Sequence, residues 1–266
     1  MSLLWHERIV VGLSPERLSA LWLGGLLRPR LQDRHAVLLQ GQNAAQWDKG
    51  IDALETLLAE PAWRGRDIEV ILSGHYVRHA LLPPAGRALT AAARQALAEA
   101  VFRDTFGDLA RDWELRVSPA AGDARALACG VPRSLLAALR KVCGDRGRLY
   151  SIQPSLMPVF NRVRDEIGKS VGCLALVEPG RITLAYVENG QWKYVDSRAG
   201  DGNILPELLL EEGELNARQP GGILWLCDLT AAARVPAGSF WSHRRIEPPR
   251  LPGFDEISSL AVWGLV

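Results

Sequence analysis

Short apolar runs alternate along this chain with stretches whose apolar positions recur at helical spacing. The first runs, residues 8–14 and 17–24, meet at Pro15-Glu16 and predict a strand, a tight turn and a second strand. A third strand is expected at 35–40. The period then changes: Trp47, Ile51, Leu54 and Leu58 form one buried stripe of a helix over 44–60, with Asn43 as its N-cap. Pro61 and Gly65 close that helix, and residues 67–73 read as a strand. Residues 77–82 give another strand, and Thr90 caps a helix over 91–106 with Ala93, Leu97, Val101 and Phe102 inward. Strands follow at 113–117 and 124–130. A helix over 133–145 buries Leu135, Leu136, Leu139, Val142 and Cys143. A strand at 148–153 leads to a helix from its cap Ser155 through Ile167. The remainder predicts strands at 171–178, 181–188 and 191–197, a helix from its cap Asn203 to Leu215, and a buried strand at 222–227. A short helical piece, an edge strand at 242–246 and an apolar tail over 260–266 complete the pattern.

The opening hairpin occurs twice. Pro15 aligns with Pro179, Arg17 with Arg181, Leu18 with Ile182, Ser19 with Thr183, Trp22 with Tyr186 and Leu23 with Val187, at a constant offset of 164 positions. Each copy follows an apolar strand and opens a β-β-β-α-β series. A repeat of that size predicts two similar half-molecules.

Composition narrows the classes. With 266 residues, 48% hydrophobic and 23% charged, the chain can bury a large core or two ordinary ones. A formal net charge of +1, with arginines scattered among acids, gives no signal for nucleic acid. Arg28-Pro29-Arg30 and His243-Arg244-Arg245 are too short to read as phosphate patches. Cys129, Cys143, Cys173 and Cys227 lie far apart without zinc-type pairing, so they read as small buried hydrophobes of a reducing compartment. The opening residues lack the basic and apolar regions of a signal peptide, and the apolar runs are too short to span a bilayer. Of the nine tryptophans, Trp22, Trp47, Trp113 and Trp225 fall at core phases, while Trp5, Trp63, Trp241 and Trp263 have no assigned place.

Two β-β-β-α-β halves predict an α/β protein of the duplicated ribonuclease-H-like (actin-like ATPase) class, each half a mixed sheet with helices. The expected boundaries are 1–168 and 169–266, with a β-α-β-β-α module inserted at 76–147. The strand–turn–strand from Val10 to Leu18 and the segment from Val70 to Pro83 carry a more specific likeness. In these the chain resembles the PilM, GspL and MshI group of actin-like proteins of type IV pilus and type II secretion machines. The resemblance implies a non-catalytic cytoplasmic scaffold, peripheral to the inner membrane through partners. Those partners would be an inner-membrane protein with a short cytoplasmic segment, an assembly ATPase and a further copy of the chain. It also implies that the inserted module is the contact surface, with Arg78 and Leu81 on it. Phe240 and Trp241, in a Pro-rich stretch, are a second candidate surface.

ATP-binding members of the superfamily carry Asp-x-Gly in the hairpin turns, in the cleft between the halves. Here Ser14 and Glu16 stand at those positions in the first turn. Glu178 and Gly180 are the nearest match in the second, and Pro179 removes a backbone donor there. Cys227-Asp228 follows the strand where a glycine pair would lie under adenosine. The expectation is no cofactor. The alternative is an ATP-binding enzyme with altered phosphate loops, using Ser14, Glu178, Gly180 and Asp228.

Other constellations are weaker. His75 and His79 share a strand face but stand too far apart there for one ion. Asp196, Asp201 and Asp228 read as turn or cap residues. Gly200-Asp201-Gly202-Asn203 precedes a helix and is read as a loop and cap rather than an anion site. Ser14 and Ser73 have no neighbouring motif to activate a hydroxyl.

Overall fold

A computed structural model of the chain describes residues 7–25, 29–39, 47–84, 89–118, 124–169, 171–215, 222–235, 241–251 and 259–265. The first elements in order are β1 (Arg8–Leu13), β2 (Arg17–Gly24), β3 (Arg30–Leu38), α1 (Asp48–Ala59) and β4 (Asp67–Leu72). Next come β5 (Arg78–Leu82), α2 (Ala91–Phe106), β6 (Trp113–Val117), β7 (Ala126–Pro132), α3 (Arg133–Gly144), β8 (Arg148–Pro154) and α4 (Leu156–Ile167). The last are β9 (Val171–Glu178), β10 (Arg181–Glu188), β11 (Gln191–Ala199), α5 (Leu205–Leu215), β12 (Ile223–Asp228) and β13 (Ser242–Arg245). Short 3-10 helices cover Pro61–Trp63, Gly107–Asp112 and Leu260–Leu265.

The duplication is visible in the hydrogen bonding. One five-stranded sheet has the order β3-β2-β1-β4-β8 and the other β11-β10-β9-β12-β13, so each strand has a counterpart in the same place. In both, the first three strands are antiparallel neighbours and the fourth and fifth add in parallel. Both second hairpins also slip register at matching positions, between Trp22 and Leu23 in β2 and between Tyr186 and Val187 in β10. A bulge costs a ladder bond and bends the strand, so its recurrence at aligned residues marks a shared backbone plan. The β10–β11 turn is Asn189-Gly190 with φ of 49° and 75°. Positive φ at both central residues matches the twist of the flanking strands and fixes their pairing.

The chain forms two compact units. The first comprises residues 1–76, 132–158 and 248–266, the second residues 77–131 and 159–247. In the first, α1 and α3 pack together, and the 3-10 helix Leu260–Leu265 lies against β1, β2 and β4. α3 buries Leu135, Leu136, Leu139, Val142 and Cys143, the stripe expected from its period. Gly12 admits the C-terminal segment: a Cβ there would sit 2.5 Å from Ala261 N and 2.7 Å from Leu260 Cβ. In the second unit, alternate residues of β9, β10 and β12 pack on Leu205, Leu208 and Leu209 of α5. A three-stranded sheet, β5-β7-β6, packs separately on Ala98 and Phe102 of α2.

Several elements differ from the sequence expectation. β3 begins at Arg30, not at residue 35, because it is a polar edge strand held by β2 along its length. Asn43 lies outside the described residues. Trp47 occupies the α1 N-cap position without a side-chain cap bond. Thr90 caps α2 as expected, its Oγ1 accepting from Ala93 N at 3.2 Å, but Ala93 is exposed and Ala98 buried. α5 starts at Leu205, two residues beyond Asn203. No helix lies between β12 and β13 among the described residues; an aspartate-closed turn follows β12. Trp22, Trp47 and Trp113 are half-buried, whereas Trp63 and Trp263 are 2% and 1% exposed. Arg66 lies over the Trp22 ring at 3.8 Å and Trp63 packs edge-on to it at 6.3 Å, so the face of Trp22 meets a cation. Trp5 is outside the described residues.

Candidate functional site

The two hairpin turns solve the same bend with different chemistry. In the first, the Ser14 hydroxyl donates to Arg17 O and accepts from Arg17 N, both at 3.1 Å, and Ser14 N donates to Arg17 O at 2.9 Å. The side chain is spent on closing its own turn. Glu16 is exposed, and its carbonyl accepts from Leu39 N at 2.7 Å. In the second turn Gly180 takes φ of 72°, a conformation glycine adopts without a Cβ clash. Its carbonyl accepts from Gly200 N at 3.1 Å. Glu178 ends β9 at 2% exposure, and its charge acts on Arg181 and Cys227.

Asp228 is the most fully engaged of the candidate residues. Its side chain is 1% exposed and accepts four bonds: Thr230 N at 3.0 Å, Thr230 Oγ1 at 2.7 Å, Ala233 N at 3.0 Å and Arg245 Nη1 at 3.4 Å. Burial pushes its carboxyl up, but the Thr230 and Ala233 bonds and the Arg245 charge outweigh burial and hold it below the ordinary value. These bonds bend the chain so tightly that Ala231 takes φ of 57°. Ala231→Gly is expected to raise the unfolding free energy by about 0.5–1 kcal/mol, because a left-handed alanine is strained; urea denaturation checks it. The turn packs against Gly202, where a Cβ would meet Ala233 Cα and N at 2.8 Å. Ala233 thus lies against the loop before α5. Asp201, not Asn203, organises that loop: its carboxylate accepts from Asn203 N at 2.9 Å and its carbonyl from Ile204 N at 3.2 Å.

The remaining candidates separate. Asp196 accepts from Ser197 N at 2.8 Å and Arg198 Nε at 2.6 Å, and Arg198 continues to Glu211 at 2.6 Å. The three aspartates therefore serve three different turns or pairs. His79 is buried on β5, opposite Cys129, and its pKa is lowered to about 4 by burial first and the Arg78 charge second. Neither of its ring nitrogens has a partner. Among the described residues no group of three or more His, Cys, Asp or Glu side chains could hold a metal. Arg78 and Leu81 are half-buried on β5, with Arg78 Nη1 donating to Val77 O at 2.9 Å. Trp241 is half-buried against the α5-facing core and edge-on to Tyr186 at 6.1 Å. Phe240 lies outside the described residues.

No protein-family model matches the sequence, and no curated protein does. Solved structures match in shape. A chain of the PilM–PilN type IV pilus biogenesis complex superposes with a TM-score of 0.66 at 10% identity, over 91% of this chain and 88% of that one. The cytoplasmic domain of EpsL, an inner-membrane component of the type II secretion system of Vibrio cholerae, gives 0.61 at 15% identity, over 97% and 94%. A Bacteroides thetaiotaomicron protein of unknown function with an actin-like ATPase fold gives 0.58 at 13%, over 83% and 81%. This chain has the actin-like ATPase fold. The duplicated sheet order is that fold's ribonuclease-H-like plan, as the repeat predicted. Within the actin-like fold, the sequence pointed to the turns but missed one neighbour. Arg181, which begins β10, lies near enough to Arg78 on β5 to lower its guanidinium pKa, after burial. The signal was present in the Arg17–Arg181 alignment; the pairing with Arg78 was not.

Proposed function

We propose that the chain is a non-catalytic adaptor of a type IV pilus or type II secretion platform at the inner membrane. It would bind the short cytoplasmic segment of an inner-membrane protein, work beside an assembly ATPase and meet further copies of itself. The observation carrying this reading is the first turn, where Ser14 closes its own bend and Glu16 replaces the glycine that a phosphate needs. A carboxylate at that position repels phosphate, and a serine without a free hydroxyl cannot orient a metal-bound water. The likeness in shape to the PilM–PilN chain and the EpsL cytoplasmic domain supports the choice of machine. Among the described residues no helix is long and apolar enough to cross a membrane, in keeping with attachment through partners. The proposed contact surface is the segment 76–147, with Arg78 and Leu81 upon it.

Calorimetry with magnesium–ATP is expected to give no heat of binding. The second reading, an ATP-binding enzyme, draws on the acid and glycine kept at Glu178 and Gly180. It would be upheld by saturable ATP binding that Gly180→Trp abolishes while the circular dichroism stays unchanged. For the adaptor itself, a peptide from the cytoplasmic segment of a neighbouring-gene membrane protein should bind saturably. Arg78→Ala with Leu81→Ser should weaken it about tenfold. Failure of every such peptide to bind would sink the adaptor reading.

A further inference from the structure

The small sheet β5-β7-β6 uses its two faces differently. Ala80 and Leu82 of β5 and Ala126 and Ala128 of β7 pack with Ala98 and Phe102 of α2. Side chains alternate along a strand, so His79 and Leu81 of β5 and Leu127 and Cys129 of β7 stand on the opposite face. In the antiparallel β5–β7 ladder His79 is directly across from Cys129. Opposed side chains of such a pair have Cβ atoms about 4.5–5.5 Å apart. His79 is 8% exposed, and neither of its ring nitrogens has a hydrogen-bond partner. Burial first and the Arg78 charge second lower its pKa to about 4, so at neutral pH the ring is uncharged and keeps a lone pair unused. A buried ring that makes no bond costs free energy. Cys129 is a free thiol and, alone among the four cysteines, is not fully buried. Burial pushes that thiol up to about 11, against the backbone N–H and the charge of Arg116, so it carries its proton at neutral pH.

We propose that Cys129 and His79 form a two-coordinate site for a soft monovalent metal ion of the copper(I) class, on the face of the small sheet turned away from α2. Thiolate and imidazole are the donors such an ion selects. With metal–ligand bonds of roughly 2 Å each, a linear sulfur–metal–nitrogen bridge spans about 4 Å, within reach of two opposed side chains. Tetrahedral zinc takes four ligands, and among the described residues no group of three or more His, Cys, Asp or Glu side chains is assembled. On binding, the Cys129 S–H bond breaks and a sulfur–metal bond forms. The proton goes to solvent, and the metal stays in the +1 state. The uncharged His79 has no proton to lose before a ring nitrogen bonds the ion. Leu81 shares this face, so the ion would lie within the surface proposed for the partner, but the site does not rest on the adaptor reading.

The test is anaerobic titration of the full chain with copper(I) against a competing chelator. X-ray absorption at the copper edge reads the ligands, and calorimetry in buffers of different ionisation heat reads the proton. The expected result is about one ion per chain, held by one sulfur and one nitrogen, with about one proton released. Cys129→Ala should abolish that binding, and His79→Gln should weaken it more than about tenfold, with unchanged circular dichroism. Zinc(II) should not displace the ion. The proposal is overturned by a copper environment of sulfur alone, by ready displacement with zinc(II), or by unchanged copper(I) affinity in either folded variant. The absorption spectrum of the wild-type chain decides the ligand set even where a variant does not fold.

Discussion

Trp263→Ala is expected to lower the unfolding free energy of the chain by about 3–5 kcal/mol. Trp263 sits in the 3-10 helix Leu260–Leu265, 1% exposed, on the sheet face made by β1, β2 and β4. Its neighbours Leu260, Ala261, Val262 and Gly264 are buried as well, and a Cβ on Gly264 would sit 2.5 Å from Val10 Cγ1. Removal of the indole would leave a void that close-packed β1 and β4 cannot fill. The indole N–H has no hydrogen-bond partner, so part of the ring's burial is offset by an unmade bond. Trp263→Phe removes that N–H along with part of the ring and should cost under about 1.5 kcal/mol. Guanidinium unfolding of the two variants separates loss of packing from loss of a polar contact. Equal losses for Ala and Phe would show that the segment does not pack as described.

Asp228→Ala should cost about 2–4 kcal/mol at neutral pH, since it strips a buried turn of an acceptor for four donors. The folded-state pKa of Asp228 is depressed, so its contribution is present above the unfolded carboxyl pKa of about 3.9 and is lost as pH falls through the folded value. The stability gap between wild type and Asp228→Ala should be widest near neutrality and close as the solution is acidified below about pH 4. Denaturant titrations at a series of pH values measure that gap. A gap independent of pH would mean that the carboxylate's charge does not hold the turn. The prediction also bears on function: a carboxylate committed to Thr230, Ala233 and Arg245 is not available to a nucleotide or a metal.

Where the sequence was legible, one kind of force decided the outcome. The hairpins at 8–24 and 171–188, the stripe of α3 and the cap of α2 by Thr90 follow from periodicity and from local hydrogen bonding. Repetition of the hairpin at a fixed offset carried that local reading to a fold of two matching sheets, because equal patterns bury equal faces. Boundaries failed where the signal was polar or long-range. The charged edge strand β3 shows little apolar alternation, and only its ladder with β2 defines its start. Asn203 is a good cap by residue type, yet α5 begins at Leu205 and the loop before it is closed by Asp201, with Gly202 close against Ala233.

The sequence by itself determined the duplicated α/β plan and set Ser14 and Glu16 in the first turn, since both are written in side-chain type and spacing. Only the tertiary structure decided how the residues in those positions are used. The Ser14 hydroxyl closes its own turn onto Arg17, and Asp228 is consumed by a turn. Trp263 anchors a tail that the pattern showed only as apolar. β5 and β11, more than a hundred residues apart in the chain, come to lie against each other. Contacts of that kind depend on which strand edges meet, and no local periodicity records it.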